Sequence, residues 1–439
     1  MTSSATEVPR PTEAFPPTVS RGYASYVLVL LSLVYVVSFI DRQILAILME
    51  PIKQEFGVSD TAMGLLTGFA FALFYTLAGI PIARLADRAS RKYIITISLT
   101  AWSLLTAASG LARSFAQLAT IRVLVGIGEA GCNPSAHSLI ADYFPPQRRA
   151  TALSVYACGV YVGSAIAFLA GGWLLTRYDW RTAFYVVGLP GLVLAIVVAL
   201  TVRELPRGYA EGRAAAAAPV VSFLEVVRFL LTRRAFVLIV LGTAVQSLSG
   251  YAVITWGAAF LSRVYAMPWS EIGVSFGWIV GLGGTLGALA GGRLADYMGR
   301  RDVRWYMRLP ALQSLLGVPF VVGFTLMPLP SLSLACFIPF YILGAMYVGP
   351  MFAMIQGLVE LRMRATAAAI MLFFTNMVGL GLGPLLVGVL NDHVFGALYG
   401  TSAIRYSLLT VGVIGGFASL LFWAASRRLR DELLITTNS

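Results

Sequence analysis

Four charged residues lie in apolar stretches where charge is costly. Arg122 and Glu129 occupy the run ATIRVLVGIGEAGCNPSAHSLIADY, and Asp41 and Arg42 occupy the run YVVSFIDRQILAIL. Near the centre of a bilayer each such charge costs about 2.5–3.5 kcal/mol on insertion scales. Four unpaired charges would cost on the order of 10 kcal/mol, so we expect them to be paired or hydrated inside the protein.

The spacing of these residues predicts how they pair. Arg122 and Glu129 are seven residues apart, about 10 Å along a helix, which is too far for an easy salt bridge. Adjacent residues point about 100° apart, so Asp41 and Arg42 cannot face one partner. We predict that Asp41 faces Arg122 and that Arg42 faces substrate or the outer gate. Arginine stays charged, so Asp41 and Glu129 are the candidate proton carriers, with Arg122 as their counter-ion; a purely structural ion-pair network is the alternative.

The composition identifies the class of protein. The chain of 439 residues is 58% hydrophobic and only 12% charged, about half the charged fraction of a soluble domain, with a mean hydropathy of +0.80. Apolar runs of about 20 residues recur and predict an all-α, multi-pass membrane protein. The twelve predicted spans are 23–48, 61–85, 93–112, 116–144, 150–176, 182–202, 235–262, 270–295, 305–327, 331–360, 366–391 and 404–426.

Positive charge is distributed unevenly between the predicted loops. With a cytoplasmic N-terminus, 24 of the 32 Lys and Arg residues fall in cytoplasmic segments and six fall outside. This bias predicts cytoplasmic N- and C-termini and accounts for the net charge of +12 without any nucleic-acid partner. The predicted domains are a tail (1–21), a six-helix bundle (22–202), a linker (203–234), a second six-helix bundle (235–428) and a tail (429–439).

Several other classes of protein are excluded by the residues present. Cys132, Cys158 and Cys336 all lie in predicted spans, so neither a disulfide framework nor a metal site is expected. Lys53 and Lys92 are the only lysines and neither follows glycine, so there is no Walker-type ATP site. We expect a protein that is not an enzyme, has no cofactor and draws its energy from a proton gradient.

The two predicted bundles repeat each other. RLADRASRK follows the second span and GRLADYMGRR follows the eighth, with Asp87 and Asp296 lying 209 residues apart. Arg149-Ala-Thr and Arg364-Ala-Thr begin the fifth and eleventh spans, 215 residues apart. Transporters built from such a parallel repeat bind substrate between the halves, near the membrane midplane.

The repeated loop is a candidate gate. Its carboxylate would cap a neighbouring helix and pair with arginine in one conformation only, whereas a solvated loop that only sets topology is the alternative. Two acids at other span ends, Glu360 and Asp392, are expected to be solvated. The candidate cytoplasmic gate residues are Asp87, Arg88, Arg91, Asp296 and Arg300.

The linker contains a short helical pattern. Ser222 followed by Glu225 matches a capping box, and Phe223, Val227 and Leu230 share one face. The segment is therefore either a helix lying on the cytoplasmic membrane surface or an extension of the seventh span.

The second half offers no central charge to match the first. The equivalent spans carry aromatic, amide and thioether side chains in the runs IVLGTAVQSLSGYAVITWGAAFL and FIPFYILGAMYVGPMFAMIQGLV. Such a wall suits an acyl chain or another large apolar body, although helix packing explains any single residue equally well. The candidate substrate-binding residues in this half are Tyr251, Trp256, Tyr347, Met351, Phe374 and Asn376.

The whole chain resembles the major facilitator superfamily of transporters. The motifs that carry the resemblance are D-R-x-x-R-K at 87–92, its second copy at 292–301, and R-x-x-x-G-x-G in the fourth span. More narrowly, FIDRQILAIL and GIGEAGCNPSAHSLIADYFPPQRRATALSVY resemble the Spinster family of sphingolipid and lysolipid transporters. The resemblance implies two pseudo-symmetric six-helix bundles that work by alternating access.

The Spinster resemblance also implies a substrate. It would be a lipid-like amphiphile with an anionic or zwitterionic head, moved in exchange with protons. Arg42 or Arg122 would receive the head and the second-half aromatic residues the tail. The alternatives are an organic-anion/proton symporter, because D-R-x-x-L and G-x-x-E also resemble the anion:cation symporters, or a multidrug/proton antiporter. A non-transporting receptor or membrane enzyme is the alternative from another class. We expect a monomer in the inner (plasma) membrane, surrounded by membrane lipids.

Overall fold

The prediction of an all-α protein is confirmed. This computed structural model describes residues 19–86, 89–211, 222–360 and 363–437, and every regular element within those ranges is helical. Twelve long helices form two groups of six, which we call the first and second bundles. A separate short helix, Phe223–Thr232, precedes the second bundle and is called the linker helix.

The first bundle contains six long helices. Its first helix is capped at Ser20, whose hydroxyl accepts from Tyr23 N, and ends at Gly57, whose φ of 61° suits glycine. Glu129 and Cys132 border a break in the fourth helix. The helices are α1 (Arg21–Phe56), α2 (60–86), α3 (Arg91–Ser109), α4 (Phe115–Tyr143), α5 (146–177) and α6 (Trp180–Thr201).

The second bundle has the same number of long helices. By length and composition, ten segments of the described chain can cross a membrane. One of them, Thr366–Leu433, contains two helices separated by a turn at Gly400, and the serine- and threonine-rich α3 completes the twelve. The helices are α7 (Arg234–Tyr265), α8 (Trp269–Gly299), α9 (Trp305–Leu326), α10 (Pro330–Gly357), α11 (364–395) and α12 (403–437).

Irregular turns recur at equivalent places in the two bundles. A π-helical turn interrupts α2 at Leu65–Phe69 and α8 at Ile279–Gly283, 214 residues later (65 to 279). This spacing agrees with the 209- and 215-residue spacings of the sequence motifs. The repeat seen in the sequence is therefore also a repeat of backbone geometry.

The hydrophobic cores differ between the two ends of the molecule. One large core contains residues of both bundles, and within it Phe276 of α8 packs against Phe168 of α5, with ring centroids 5.2 Å apart. Gly172 and Gly273 bring α5 and α8 into backbone contact, since a Cβ at Gly172 would lie 2.5 Å from the Trp269 carbonyl oxygen. This part of the protein, which includes Arg263, is called the Arg263 end.

The opposite end, where the linker joins the bundles, is built differently. One core there belongs to the first bundle, and Leu380 and Tyr251 of the second bundle contact it. Another core is made only of second-bundle and linker-helix residues, and a small cluster of Ala295, Leu309 and Met346 also belongs to the second bundle. In the described part of the chain, the two bundles therefore have largely separate cores at this linker end and share one at the Arg263 end.

The structure adds detail to two of the predicted segments. Residues 429–437 of the predicted tail are helical and continue α12, in which Phe422, Ala425 and Leu429 recur at helical spacing and are buried in the second-bundle core. In the linker helix, the buried residues are Val226 and Leu230, whereas Phe223 is 65% exposed. Ser222 begins that helix without a capping hydrogen bond from its side chain.

Candidate functional site

Asp41 and Arg122 form a buried ion pair between α1 and α4. Arg122 Nη1 lies 2.6 Å from Asp41 Oδ1, and Nη2 donates to the Asp41 backbone carbonyl at 3.2 Å. Thr106 of α3 donates to the other carboxylate oxygen at 2.8 Å. The structure thus brings together the two residues that the helix spacing predicted to face each other.

Arg42 and Glu129 form the second ion pair. Arg42 Nε lies 2.6 Å from Glu129 Oε2, and Ser38, one turn earlier on α1, donates to the same oxygen at 3.0 Å. The sequence did not predict this pair, and the expectation that Arg42 faces substrate or the outer gate stays a prediction. Asp41 and Arg42 point about 100° apart on α1. They therefore reach different parts of α4, where each has its own partner.

Small residues allow this close packing around Glu129. The carboxylate ends the first segment of α4, and Gly131 lies in the break that follows. A Cβ at Gly131 would lie 2.7 Å from Ile82 Cγ2 and 2.8 Å from Ser98 Oγ. The break therefore lies where side chains of α2 and α3 pack against α4, next to the buried Glu129.

The two carboxylates differ in how they are satisfied. Both oxygens of Asp41 accept hydrogen bonds, from Arg122 and Thr106. In Glu129, Oε2 accepts both bonds, and no described residue donates to the buried Oε1. A proton on Oε1 of Glu129 would cost no existing hydrogen bond, whereas a proton on either oxygen of Asp41 would displace a donor.

Arg42 links this network to a cavity between the bundles. Its guanidinium carbon lies 4.5 Å from the ring centre of Tyr75, and 5.2 and 5.3 Å from those of Phe39 and Phe71, within the range of cation–π attraction. Its side chain remains 15% exposed and borders a cavity of about 20 Å³. The cavity is lined by Phe39, Arg42, Gln43, Ala46 and Thr67 of the first bundle and Tyr251, Thr255 and Leu380 of the second.

The other second-bundle candidates lie in different environments. Trp256 is fully buried and its indole N–H donates to the Pro384 carbonyl at 2.9 Å, so it packs between α7 and α11. Met351 belongs to the second-bundle core at the linker end. Of the six candidates, the cavity beside Arg42 includes Tyr251 alone.

Three further candidates are more accessible. Tyr347 and Asn376 are half-buried, and Phe374 is exposed, with its ring 5.5 Å from that of Phe373. Their roles in substrate binding remain predictions. Aromatic residues in a membrane helix serve packing and binding equally well, which is why the sequence could not separate Trp256 from Tyr251.

A cluster of charges joins the two bundles at the Arg263 end. The guanidinium of Arg263 on α7 donates to both oxygens of Asp60 at 2.6 and 2.8 Å and lies 2.6 Å from Glu50. Lys53 lies 2.6 Å from Asp60. The carboxylates come from α1 and α2, so the arginine holds the second bundle against the first.

Asparagine and aspartate of α11 complete this Arg263 cluster. Asn391 donates to Asp60 at 2.9 Å. Asp392 accepts from Thr61 N at 2.7 Å and from Asp60 N at 3.2 Å, and so caps the start of α2. The expectation that Asp392 is solvated is therefore wrong, because the free N–H groups of α2 lie directly opposite it. The sequence reasoning missed this cluster, whose members come from three separate regions of the chain, residues 50–61, 263 and 391–392.

At the linker end, Arg91 makes a different network. It pairs with Asp142 of α4 and, at 2.8 Å, with Glu204 beyond α6, and it donates to the Leu205 carbonyl at 2.6 Å. All of these partners belong to the first bundle or to the segment that follows it. Arg91 therefore connects three elements of one bundle in this conformation.

Glu204 is held ionised by its neighbours. Burial raises the pKa of Glu204, but hydrogen bonds from the Lys92 backbone N–H and from the Arg91 and Ser90 side chains lower that pKa more strongly. The net effect is a pKa below the ordinary value of 4.5 for glutamate.

The remaining gate candidates make no contact between bundles in the described chain. Asp87 and Arg88 lie outside the described residues. Asp296 accepts from Tyr306 at 2.7 Å, and the backbone N–H of Arg300 donates to the Asp296 carbonyl, all within the second bundle. The gate role of these residues stays a prediction.

Comparisons with known proteins agree on one family. A family profile described as Major Facilitator Superfamily matches residues 31–384. The chain is 37% identical to an MFS-type efflux pump of Mycolicibacterium smegmatis over 92% of this chain and 93% of that protein. It is 26% identical to a hexuronate transporter of Bacillus subtilis over 90% of this chain and 92% of that protein.

A solved structure is also similar along the whole chain. It is a bacterial homolog to the human lysosomal transporter Spinster in an inward-facing conformation. The sequences are 31% identical, the TM-score is 0.84, and the match covers 94% of this chain and 99% of the other. The family resemblance predicted from the motifs is thereby confirmed.

Proposed function

The chain belongs to the Major Facilitator Superfamily of membrane transporters, and we propose that it couples the transport of a lipid-like amphiphile to protons. The observation that carries the proposal is the Arg42–Glu129 pair, which borders a cavity lined by both bundles. A proton-coupled transporter needs a group whose protonation changes the binding of substrate. A guanidinium shared between a carboxylate and a cavity lined by both bundles offers that coupling.

The coupling follows from the charges. The charges of the two arginines and the two carboxylates balance, so an anionic head group that enters beside Arg42 adds a negative charge at low dielectric. Protonation of Glu129 on its unpaired Oε1 restores the balance and frees Arg42 for the head group. Departure of the proton re-forms the Arg42–Glu129 pair and weakens the hold on substrate. Asp41 and Arg122 supply the fixed charges beside which this proton transfer takes place.

The apolar part of the substrate has a matching surface. Phe39, Tyr251 and Leu380 line the same cavity as Arg42, and the exposed rings of Phe373 and Phe374 lie on α11. An acyl chain beside a guanidinium is the arrangement that an anionic or zwitterionic lysolipid needs. The similarity to a Spinster homolog supports this class of substrate.

Two other substrates are consistent with particular relatives. Guanidinium groups bind carboxylates well, and a relative at 26% identity is a hexuronate transporter, so a proton-coupled organic anion is the second candidate. The relative at 37% identity is an efflux pump, which favours export and admits a multidrug/proton antiporter.

Alternating access is supported by the two ends of the molecule. The bundles are joined by a shared core and by the Arg263 cluster at one end, and they have separate cores at the linker end. We place the linker end in the cytoplasm, following the distribution of Lys and Arg, so that the protein is open inward. It works as a monomer that spans the plasma (inner) membrane.

The proposal is tested by substrate screening with purified protein. Binding of lysolipids, sphingoid compounds and small organic acids is measured by thermal shift at two pH values, and the hits are tested in liposomes with an imposed pH gradient. The proposal expects a lysolipid or sphingoid hit whose flux follows the proton gradient. Flux of hexuronate-like acids alone would favour the second candidate, and binding without any flux would contradict both.

A further inference from the structure

The linker helix presents an apolar stripe that the described part of the chain does not cover. Val226 and Leu230 pack into the second-bundle core. Phe223, Leu224 and Leu231 are 65%, 55% and 68% exposed. On a helix, these three lie within an arc of about 100° next to the buried face. The helix is therefore apolar on two adjoining sides, and only one of them is buried.

The position of the helix places this stripe at the membrane surface. A single residue, Arg233, separates it from α7, which crosses the membrane. Arg233 has extended backbone angles, φ −88° and ψ 98°, so the chain turns where α7 begins. The linker helix therefore lies at the end of a membrane span, beside the head groups.

Cationic residues border the stripe. Arg228 is exposed and lies next to Leu224 and Leu231 on the helix surface. Arg233 stacks on Phe229 at 4.7 Å, and Arg234 is exposed at the start of α7. Three arginines against the single Glu225 give this short segment an excess of positive charge.

From this juxtaposition we infer that the linker helix binds the lipid leaflet at the linker end and that anionic phospholipid head groups are its partner. The stripe of Phe223, Leu224 and Leu231 enters the acyl boundary, and Arg228 reaches the phosphates. Because Val226 and Leu230 belong to the second-bundle core, lipid bound here holds that bundle at a fixed depth. The inference does not depend on the identity of the transported substrate.

The test uses full-length protein in nanodiscs. Cys132, Cys158 and Cys336 are replaced by alanine, and a fluorophore is attached at Leu231→Cys or, as the matched control on the opposite face, at Glu225→Cys. Nitroxide-bearing lipids then report contact with the bilayer. Nanodiscs of phosphatidylcholine are compared with nanodiscs that also contain phosphatidylglycerol, at low and high salt.

We expect strong quenching at 231, weak quenching at 225, and an increase at 231 with phosphatidylglycerol that high salt removes. Arg228→Gln should reduce the phosphatidylglycerol effect by about fivefold. Equal quenching at the two positions, or quenching at 231 that is indifferent to lipid charge and salt, would overturn the inference. If the cysteine-free chain does not fold, hydrogen exchange of residues 223–232 in the natural chain decides: slower exchange with phosphatidylglycerol supports the inference, and unchanged exchange contradicts it.

Discussion

The charge networks at the two ends of this transporter have different roles. At the Arg263 end, one arginine reaches from the second bundle to two carboxylates of the first, over a core that both bundles share. At the linker end, Arg91 is buried among partners from its own bundle. The first network can break while both bundles stay folded, whereas the second cannot break without damage to a bundle.

This difference separates conformational equilibrium from stability. A salt bridge between two rigid bodies contributes to the population of one state, and a salt bridge within a body contributes to its folding. The side chains of Arg263, Glu50 and Asp60 are mostly buried, so the loss of one of them leaves the charges of the others uncompensated. Variants at each end test whether the two charge networks differ in this way.

The largest effect is expected from Arg91→Met. The change removes a buried cation and leaves Asp142 and Glu204 without their ion-pair partner. The free energy of unfolding should fall by about 3–5 kcal/mol, measured by thermal denaturation in detergent. Arg301→Met, at an exposed residue of the same end, is the control. Equal melting temperatures for the two variants would show that Arg91 does not clamp the first bundle.

A smaller and different effect is expected from Arg263→Gln. The bundles should separate at this end, because Glu50 and Asp60 lose the cation that joins them to α7. The shift should be about 2 kcal/mol, roughly thirtyfold in population, with little change in melting temperature.

Spin-label distances between Arg113→Cys and Leu398→Cys, one in each bundle at this end, measure that separation. Arg405→Gln is the matched control, since Arg405 stacks on Tyr265 within the second bundle. An unchanged distance distribution in Arg263→Gln would mean that the shared core alone keeps this end closed.

The smallest effect concerns pH at the linker end. The pKa of Glu204 is lower in the folded protein than its ordinary value of 4.5. The ionised carboxylate therefore stabilises the fold at neutral pH, and this contribution is lost as pH falls below that value through the folded-state pKa. Glu204→Gln should lower the melting temperature at pH 7 and flatten its decline in acid. A decline as steep as in the natural chain would exclude Glu204 as its source.

The sequence predicted the central pairing because physical cost restricted the options. Charges inside apolar spans must find partners, and the angle between neighbours on a helix assigned Asp41 to Arg122. The partner of Arg42 was not predictable, because it depends on how deeply α1 packs against the break in α4. Family motifs and hydropathy were enough for the twelve helices and their repeat.

The Arg263 cluster illustrates what the sequence could not provide. Charges at the ends of spans are usually solvated, so Glu50, Asp60 and Asp392 carried no signal of their own. Their significance arises only when α1 and α2 meet α7 and α11 across the bundle interface. The same holds for packing at Trp256. Its role follows from its burial between α7 and α11, which the residue type alone does not reveal.

The coupling of substrate transport to protonation of Glu129 is tested by the variant Glu129→Gln. In liposomes, the glutamine variant should still exchange substrate for substrate, because Arg42 remains available, but it should not accumulate substrate in response to a pH gradient. Asp41→Asn should lose both activities, since it leaves Arg122 unpaired. Gradient-driven accumulation that persists in Glu129→Gln would contradict the account.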